Sequence, residues 1–430
     1  MTSLIDLEKA GKIEKTGATV KLPTRLNNLG TENMDVYRIP LKYLYYNDKN
    51  GRISTAIAGY HDELNPVNDT VDPAYNDFVA KLIEQNNPAA LKRTQKSIQE
   101  SGQRICGYVL EDGRIVDGNR RYTALRNLQK ATGKTYYFEA VILPFSYDNQ
   151  TDRSKIKKLE LAIQMGVEKR EDYDPVDLAV DIYQTTTGDD AMMTLADYVN
   201  VANMKKKEAE RYYQGAVYMR KFLKFIGADE NNYHLIKENQ IWSPFYEMGK
   251  SLANNFGDDD DSQVQKNETM HSYFGLILHD LHVGVSGTPA RTHMRDFTQN
   301  IVKSPNLNEF NDEVSDAVED LADTLQESPI NNTTDLMTQL TEANDNISQF
   351  GDTYDTYMRD AKNGESVEKF IKSIKDSVKY YEDLNNNGGL AGTLRYGEIS
   401  NEQLKQLQTY MRKLDGLCKD LFNKYGNEIR

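Results

Sequence analysis

The stretch Gly113-Arg114-Ile115-Val116-Asp117-Gly118-Asn119-Arg120-Arg121-Tyr122-Thr123-Ala124-Leu125-Arg126 decides the reading of this chain. It reads as a short strand, a tight turn, and a helix that opens with two arginines. A free helix N-terminus carries partial positive charge, so a cation placed there is unfavourable by ~0.3–1 kcal/mol. Arg120 and Arg121 break that rule, and local rules are broken most often at functional sites. An anion would reconcile them, because backbone N–H groups and two guanidinium forks could converge on one phosphate cluster. Pairing with Glu111, Asp112 or Asp117 would satisfy both arginines equally well with no ligand at all.

Working outward, Tyr108 to Leu110 and Arg114 to Val116 flank Glu111-Asp112-Gly113, which predicts a hairpin. Pro88 to Ser101 reads as a helix with Leu91, Thr94 and Ile98 on one stripe and Gly102 as its stop. Val36 to Leu41, with Pro40 near its end, suits an edge strand, and Tyr136 to Leu143 a further strand. Asp48 to Gly51 reads as a turn. Residues 34–150 are therefore expected to form a small α+β domain, preceded by a polar leader of weak structure over 1–33.

Beyond about residue 150 the pattern turns helical. A helical domain is expected over 151–227, a helical middle region over 228–305, and an acidic antiparallel bundle over 306–430. Gly257 to Ser262 reads as a solvated charged loop. Leu336, Leu340, Ala343, Ile347, Phe350, Tyr354, Tyr357 and Ala361 recur in steps of three and four. Val367 to Tyr381 and Leu404 to Tyr425 do the same, which predicts helices packed along a seam. One such seam could be shared with a second copy of the chain. Asn385 to Gly392 reads as the turn between two of these helices, and Ser400 with Gln403 as the capping box of the last.

Composition narrows the classes. The 430 residues carry a net charge of −14 and a mean hydropathy of −0.70. No apolar run approaches a membrane span, and Met1 to Lys15 lacks the core of a signal peptide, so a cytoplasmic protein is expected. Cys106 and Cys418 are too few for a disulfide framework. His279 and His282 have helical spacing but no evident third ligand, so no metal site is expected. The acidity is uneven: residues 305–430 hold 13 Lys/Arg against 24 Asp/Glu, whereas Val201 to Lys224 holds seven against two. That basic window is a nucleic-acid footprint.

Within it, Thr194 to Asn200 reads as a short helix and Val201-Ala202-Asn203 as a turn. A second helix runs from Met204 to about Phe222. This is the layout of a helix-turn-helix, whose second helix meets the major groove. Lys205, Lys206, Lys207 and Arg211 are the candidate phosphate contacts, with Tyr212, Tyr213 and Gln214 as further base-facing candidates. An ordinary helical corner with a solvated basic face would show the same pattern.

Taken together these segments resemble the ParB family of the ParB/sulfiredoxin-like superfamily. Tyr37 to Leu44 followed by Asn50-Gly51-Arg52 resembles its opening segment, and Ser97-Ile98-Gln99-Glu100-Ser101-Gly102 the first part of its nucleotide box. Asp117 to Ala124 resembles its Gly-Glu-Arg-Arg-x-Arg-Ala phosphate box, and Glu168 to Ala179 the box leading into the helix-turn-helix. The resemblance spans roughly residues 34–225. It implies an α+β nucleotide-binding domain followed by mostly helical structure. It also implies a nucleoside triphosphate ligand (CTP or ATP, with Mg²⁺), double-stranded DNA and a homodimer as partners, and nucleotide control of DNA clamping. The nucleotide would be held by Gly102, Gln103, Asp117, Gly118, Asn119, Arg120, Arg121 and Arg170.

The departures matter as well. Asn119 stands where the family has Glu, and Thr123 where it has a third Arg. The family's Glu-Asn pair falls on Gly166 and Val167, which removes the carboxylate tied to hydrolysis unless Glu168 or Gln164 substitutes for it from a shifted position. No cysteine lies in the phosphate box, which argues against sulfiredoxin chemistry. The implied roles are segregation or regulation of a plasmid, phage or other mobile element. A nucleotide-dependent enzyme of the superfamily (NTPase, kinase or nuclease) is the alternative. An interaction protein of a defence cassette, recruiting a partner through the acidic bundle, is another.

Overall fold

The computed structural model describes residues 3–22, 33–47, 55, 57, 71–166, 174–386 and 400–425. It is a mixed α+β chain built on a five-stranded sheet of order β1-β2-β5-β3-β4. The strands are β1 (Glu14–Lys21), β2 (Asn33–Pro40), β3 (Gly107–Leu110), β4 (Ile115–Asp117) and β5 (Tyr137–Leu143). β5 pairs antiparallel with β2 and parallel with β3, while β3 and β4 form the expected hairpin. From Ala140 onward β5 is buried on both faces. Phe138, Ala140 and Ile142 enter one core and Val141 and Leu143 another, the period-2 alternation of a strand covered on both sides.

The first core is closed by α1 (Leu4–Lys9), α2 (Pro73–Asn86), α3 (Pro88–Ser101) and α4 (Asn119–Thr132). The second is closed by α5 (Gln150–Gly166), through Ile156, Leu159 and Ile163. Several helices start on an Asx-Pro pair. The side chains of Asp72 and Asn87 accept from Ala74 N and Ala90 N, and Asp174 accepts from Val176 N at the start of α6 (Pro175–Thr186). In each pair the Asx side chain satisfies a free N–H, and proline sits where no N–H is needed.

Two expectations for this region are corrected. Within the leader expected to have weak structure, described residues 3–22 form two elements: α1 buries Leu4 and Leu7, and β1 pairs along β2. β2 is consequently an interior strand, with β1 and β4 at the sheet edges. The turn expected at Asp48 to Gly51 lies outside the described residues.

Helices then follow in order: α7 (Leu195–Val201), α8 (Lys206–Phe225), α9 (Tyr233–Glu238), α10 (Trp242–Asn255), α11 (Asp260–His282), α12 (Gly287–Phe297), α13 (Leu307–Gln326), α14 (Thr333–Glu342), α15 (Asn344–Asn386) and α16 (Asn401–Tyr425). One continuous apolar core runs from Val176 to Met358, so residues on both sides of the expected divisions at 228 and 306 share it. The chain separates instead into compact units at residues 1–358 and 359–430. The expected loop at Gly257 to Ser262 is largely a helix start, where Asp259 caps α11 by accepting from Ser262 N. Leu336, Leu340, Ala343, Ile347, Phe350 and Tyr354 are core residues of the first unit. In the second unit Ile371, Ile374, Val378, Met411 and Leu414 are exposed. Ser400 and Gln403 do form the predicted capping box at α16. Residues 387–392 of the expected turn lie outside the described residues. Among the described residues no helix is long and apolar enough to cross a membrane.

Candidate functional site

A cleft of about 390 Å³ opens where the end of α3, the Gly102–Ile105 loop and the β4–α4 junction converge, with Gln164 of α5 on its wall. Two glycines make the junctions. Gly102 (φ +70°) ends α3, and Gly118 (φ +107°) turns β4 into α4. An L side chain at Gly118 would also strike the Phe138 ring at 2.7 Å. Because Gly118 is the N-cap residue, α4 begins with no side-chain cap and no acid in its first turn. Its N-terminal N–H groups therefore lack the usual protein acceptor from a capping side chain.

Asn119 is the first residue of that helix. Its side chain is 8 % exposed, and neither its Nδ2 nor its Oδ1 has a hydrogen-bond partner. Burying an amide without partners costs ~1–3 kcal/mol, so an orphan of this kind requires a reason. Four arginines, Arg93, Arg104, Arg120 and Arg121, line the same cleft, with Asp117 as the carboxylate among its described lining.

The two arginines of the opening stretch have different roles. Arg121 is turned inward: its Nη2 lies 2.5 Å from Asp117 Oδ2, and its Nη1 donates to the carbonyls of Ile105 at 3.0 Å and Cys106 at 3.3 Å. It braces the Gly102–Ile105 loop against the start of α4. Arg120 is half-buried on the cleft wall. Gln103 is also a brace, since its amide donates to Glu139 O at 2.7 Å and accepts from Glu139 N at 3.0 Å. Gly102, Asp117, Gly118, Asn119, Arg120 and Arg121 are thus brought together as expected. Glu168 and Arg170 lie outside the described residues.

Arg93 and Thr94 on α3, together with Arg104 and the 64 %-exposed Ile105, line the cleft without having been singled out for it, beside Ser97 of the expected nucleotide box. The i, i+4 spacing of Arg93 from Ser97 is the signal that would have found Arg93.

The short helix, the turn and the longer second helix form where expected. Thr194 Oγ1 accepts from Asp197 N at the start of α7, and Asn203 takes the left-handed conformation (φ +49°) in the turn. Met193, Tyr198, Ala202, Met204 and Ala209 make its core. Lys205, Lys206 and Lys207 are exposed at the tip of α8, where Lys206 approaches Glu210 at 3.7 Å. Arg211 donates to the Tyr246 hydroxyl at 3.3 Å. Tyr212 and Tyr213 are half-buried, with Tyr212 stacked on Trp242 and Tyr213 packed on Tyr183.

A buried polar chain joins the two regions. Gln164 donates to Glu160, Glu160 approaches Lys157 at 3.5 Å, Lys157 is 2.5 Å from Asp181, and Tyr198 of α7 donates to Asp181. Burial opposes the Lys157 charge, but the Asp181 and Glu160 carboxylates outweigh it and hold the ammonium well above the ordinary lysine range.

Among the described residues no group of His, Cys, Asp and Glu could hold a metal ion. No protein-family model, no curated protein and no solved structure matches this chain.

Proposed function

We propose that this protein binds a nucleoside triphosphate, CTP or ATP with Mg²⁺, in the cleft at the start of α4, and that nucleotide occupancy governs its hold on double-stranded DNA through α7 and α8. The observation that carries this reading is the buried, unpartnered amide of Asn119 at the head of an uncapped helix, within a cleft lined by arginines. Helix N-termini favour phosphate, and an orphaned amide offers one donor and one acceptor face to a ligand. Arg93, Arg104 and Arg120 supply the counter-charge; Arg121, Gln103 and Gly118 hold the wall that presents them.

Asp117 is already neutralised by Arg121, so the described residues favour binding over rapid hydrolysis. The lysine tip of α8 suits the phosphate backbone rather than base edges. The buried chain from Gln164 to Tyr198 gives the cleft a packed physical link to the helix-turn-helix, the kind of contiguous network through which coupling can pass. The exposed apolar residues of α15 and α16 in the second unit favour a second copy of the chain as partner.

Calorimetry with CTP, ATP, GTP and UTP in Mg²⁺, on the wild type and on Arg120→Ala, tests the reading. One nucleotide should bind and the variant should lose it; a ligand at 100 times its Kd would also stabilise the fold by ~2.7 kcal/mol. Absence of any nucleotide binding to the wild type would refute it.

A further inference from the structure

The helix-turn-helix lies beside a second cationic surface. α10 packs against both α8 and α12. The start of α12 is fixed to α10 by Ser243, which donates to Gly287 O at 3.2 Å, and to the turn before α10 by Gly287 N, which donates to Gln240 O at 3.2 Å. Glu247 of α10 is 5 % exposed, and its Oε1 accepts from Arg291 at 2.8 Å and Arg295 at 2.8 Å, both on α12. Burial pushes the Glu247 carboxyl up, but the two guanidinium groups overcome that and hold it below the ordinary glutamate range.

One carboxylate oxygen cannot satisfy two guanidinium forks. Each arginine carries five N–H donors, and the pair retains a net positive charge. Their side chains are 40 % and 55 % exposed, so the remaining donors meet solvent. Next to them, Arg211 is held by the Tyr246 hydroxyl, and Tyr246 packs edge-on to Tyr212. Exposed Lys250 sits one turn along α10, and Arg211 lies one turn along α8 from Lys207. An intramolecular tie between α10 and α12 would need one arginine. Two, held on a buried acid and facing outward, are a pre-organised anion surface.

Resting on the DNA-binding reading above, we propose that Arg211, Arg291 and Arg295, with Lys250 at the edge, form a second phosphate-contacting surface for duplex DNA. It would be continuous with the lysine tip of α8, and Glu247 beneath it would hold the arginine forks in register. Charge complementarity argues for this partner: the surface is cationic in a chain of net charge −14. Its arginines lie on α8 and α12, which both pack on α10, and α8 begins at Lys206 with Lys205 as its cap residue.

The test measures affinity for a fluorescent duplex against log[salt]. Each lost phosphate contact lowers the slope by roughly 0.9. The double variant Arg291→Gln, Arg295→Gln should lose about two contacts, and Arg291→Lys, Arg295→Lys should keep the wild-type slope. Should the double glutamine variant fail to fold by circular dichroism, Arg295→Gln alone should lose about one. An unchanged slope in a folded glutamine variant overturns the proposal, as does a surface that captures poly-glutamate while leaving DNA affinity untouched. If the wild type binds no duplex at low salt, the DNA reading itself fails along with this inference. If neutralising Lys205 to Lys207 flattens the slope and the arginine variants do not, this inference alone fails.

Discussion

Lys157 Nζ lies 2.5 Å from Asp181 Oδ1, and both residues are buried between α5 and α6. The pair joins the sheet domain to the helices, and Tyr198 supplies a further bond to Asp181 Oδ2 at 2.8 Å. A buried ion pair gains little over an apolar pair, but removing one partner strands the other charge at a cost of ~3–5 kcal/mol. Lys157→Met should therefore lower stability by about that amount in urea unfolding. The double variant Lys157→Met, Asp181→Leu should cost less than the sum of the two single variants, although it also strands the buried Glu160 carboxylate and removes the acceptor of the Tyr198 hydroxyl. A double-variant loss equal to the sum of the two single losses would show that the charges are not coupled.

Gly118 joins β4 to α4 at φ +107°, where a Cβ would meet Phe138 at 2.7 Å and Arg121 Nη2 at 3.1 Å. Both the backbone conformation and the close ring approach exclude an L side chain. Gly118→Ala should cost at least ~1–3 kcal/mol, the range of a residue forced into a sparse conformation. A melting temperature equal to that of the wild type would mean that the junction can relax.

Arg120 and Arg121 should separate under thermal melting. Arg121 makes a charge-assisted bond to Asp117 and two bonds to loop carbonyls. Hydrogen bonds to charged groups contribute ~1.5–3 kcal/mol, so Arg121→Ala should lower the melting temperature without any ligand. Arg120→Ala should instead abolish the stabilisation by nucleotide. If Arg121→Ala melts like the wild type and only loses ligand, the inward brace is not the role of this residue.

These assignments show what was legible in the sequence. The hairpin, the helix from Pro88, the Gly102 stop and the Ser400–Gln403 box are local chemistry, and local chemistry is written in adjacent residues. β1 was not legible because nearly all of its residues face solvent, so it shows no apolar alternation. The division of labour between Arg120 and Arg121 was equally hidden. It depends on the Ile105 and Cys106 carbonyls, which only the tertiary fold brings beneath Arg121. The ring contacts of Tyr212 with Trp242 and of Tyr213 with Tyr183 were hidden because the partners are distant in sequence.

Asp280 carries a pH dependence. Its carboxyl is buried and its Oδ2 has no partner, while Oδ1 accepts from His293 Nδ1 at 2.8 Å. Burial pushes its pKa up to about 6, against the lowering effect of His293. The unfolded value is near ~3.9, so the folded state holds this proton more tightly. The stability this group contributes is full below about pH 3.9 and is lost as pH rises through about 6. Asp280→Asn keeps the shape and removes the charge. It should stabilise the protein by about 3 kcal/mol at pH 7.5, the worth of a shift of about two units, with the gain gone by about pH 4. A variant whose advantage is the same at both pH values would exclude titration of Asp280 as the cause.

Asn119 tests whether the cleft stores its instability for a ligand. Its amide is buried at the head of α4 with both polar atoms unpartnered. Replacement by an apolar side chain of similar size removes that cost of ~1–3 kcal/mol. Asn119→Leu should then raise the melting temperature of the ligand-free protein while eliminating the nucleotide-dependent shift, the trade between stability and function expected of a binding residue. A merely structural asparagine would behave in the opposite way. Its loss would lower the melting temperature and leave the nucleotide response intact, and that result would remove Asn119 from the site.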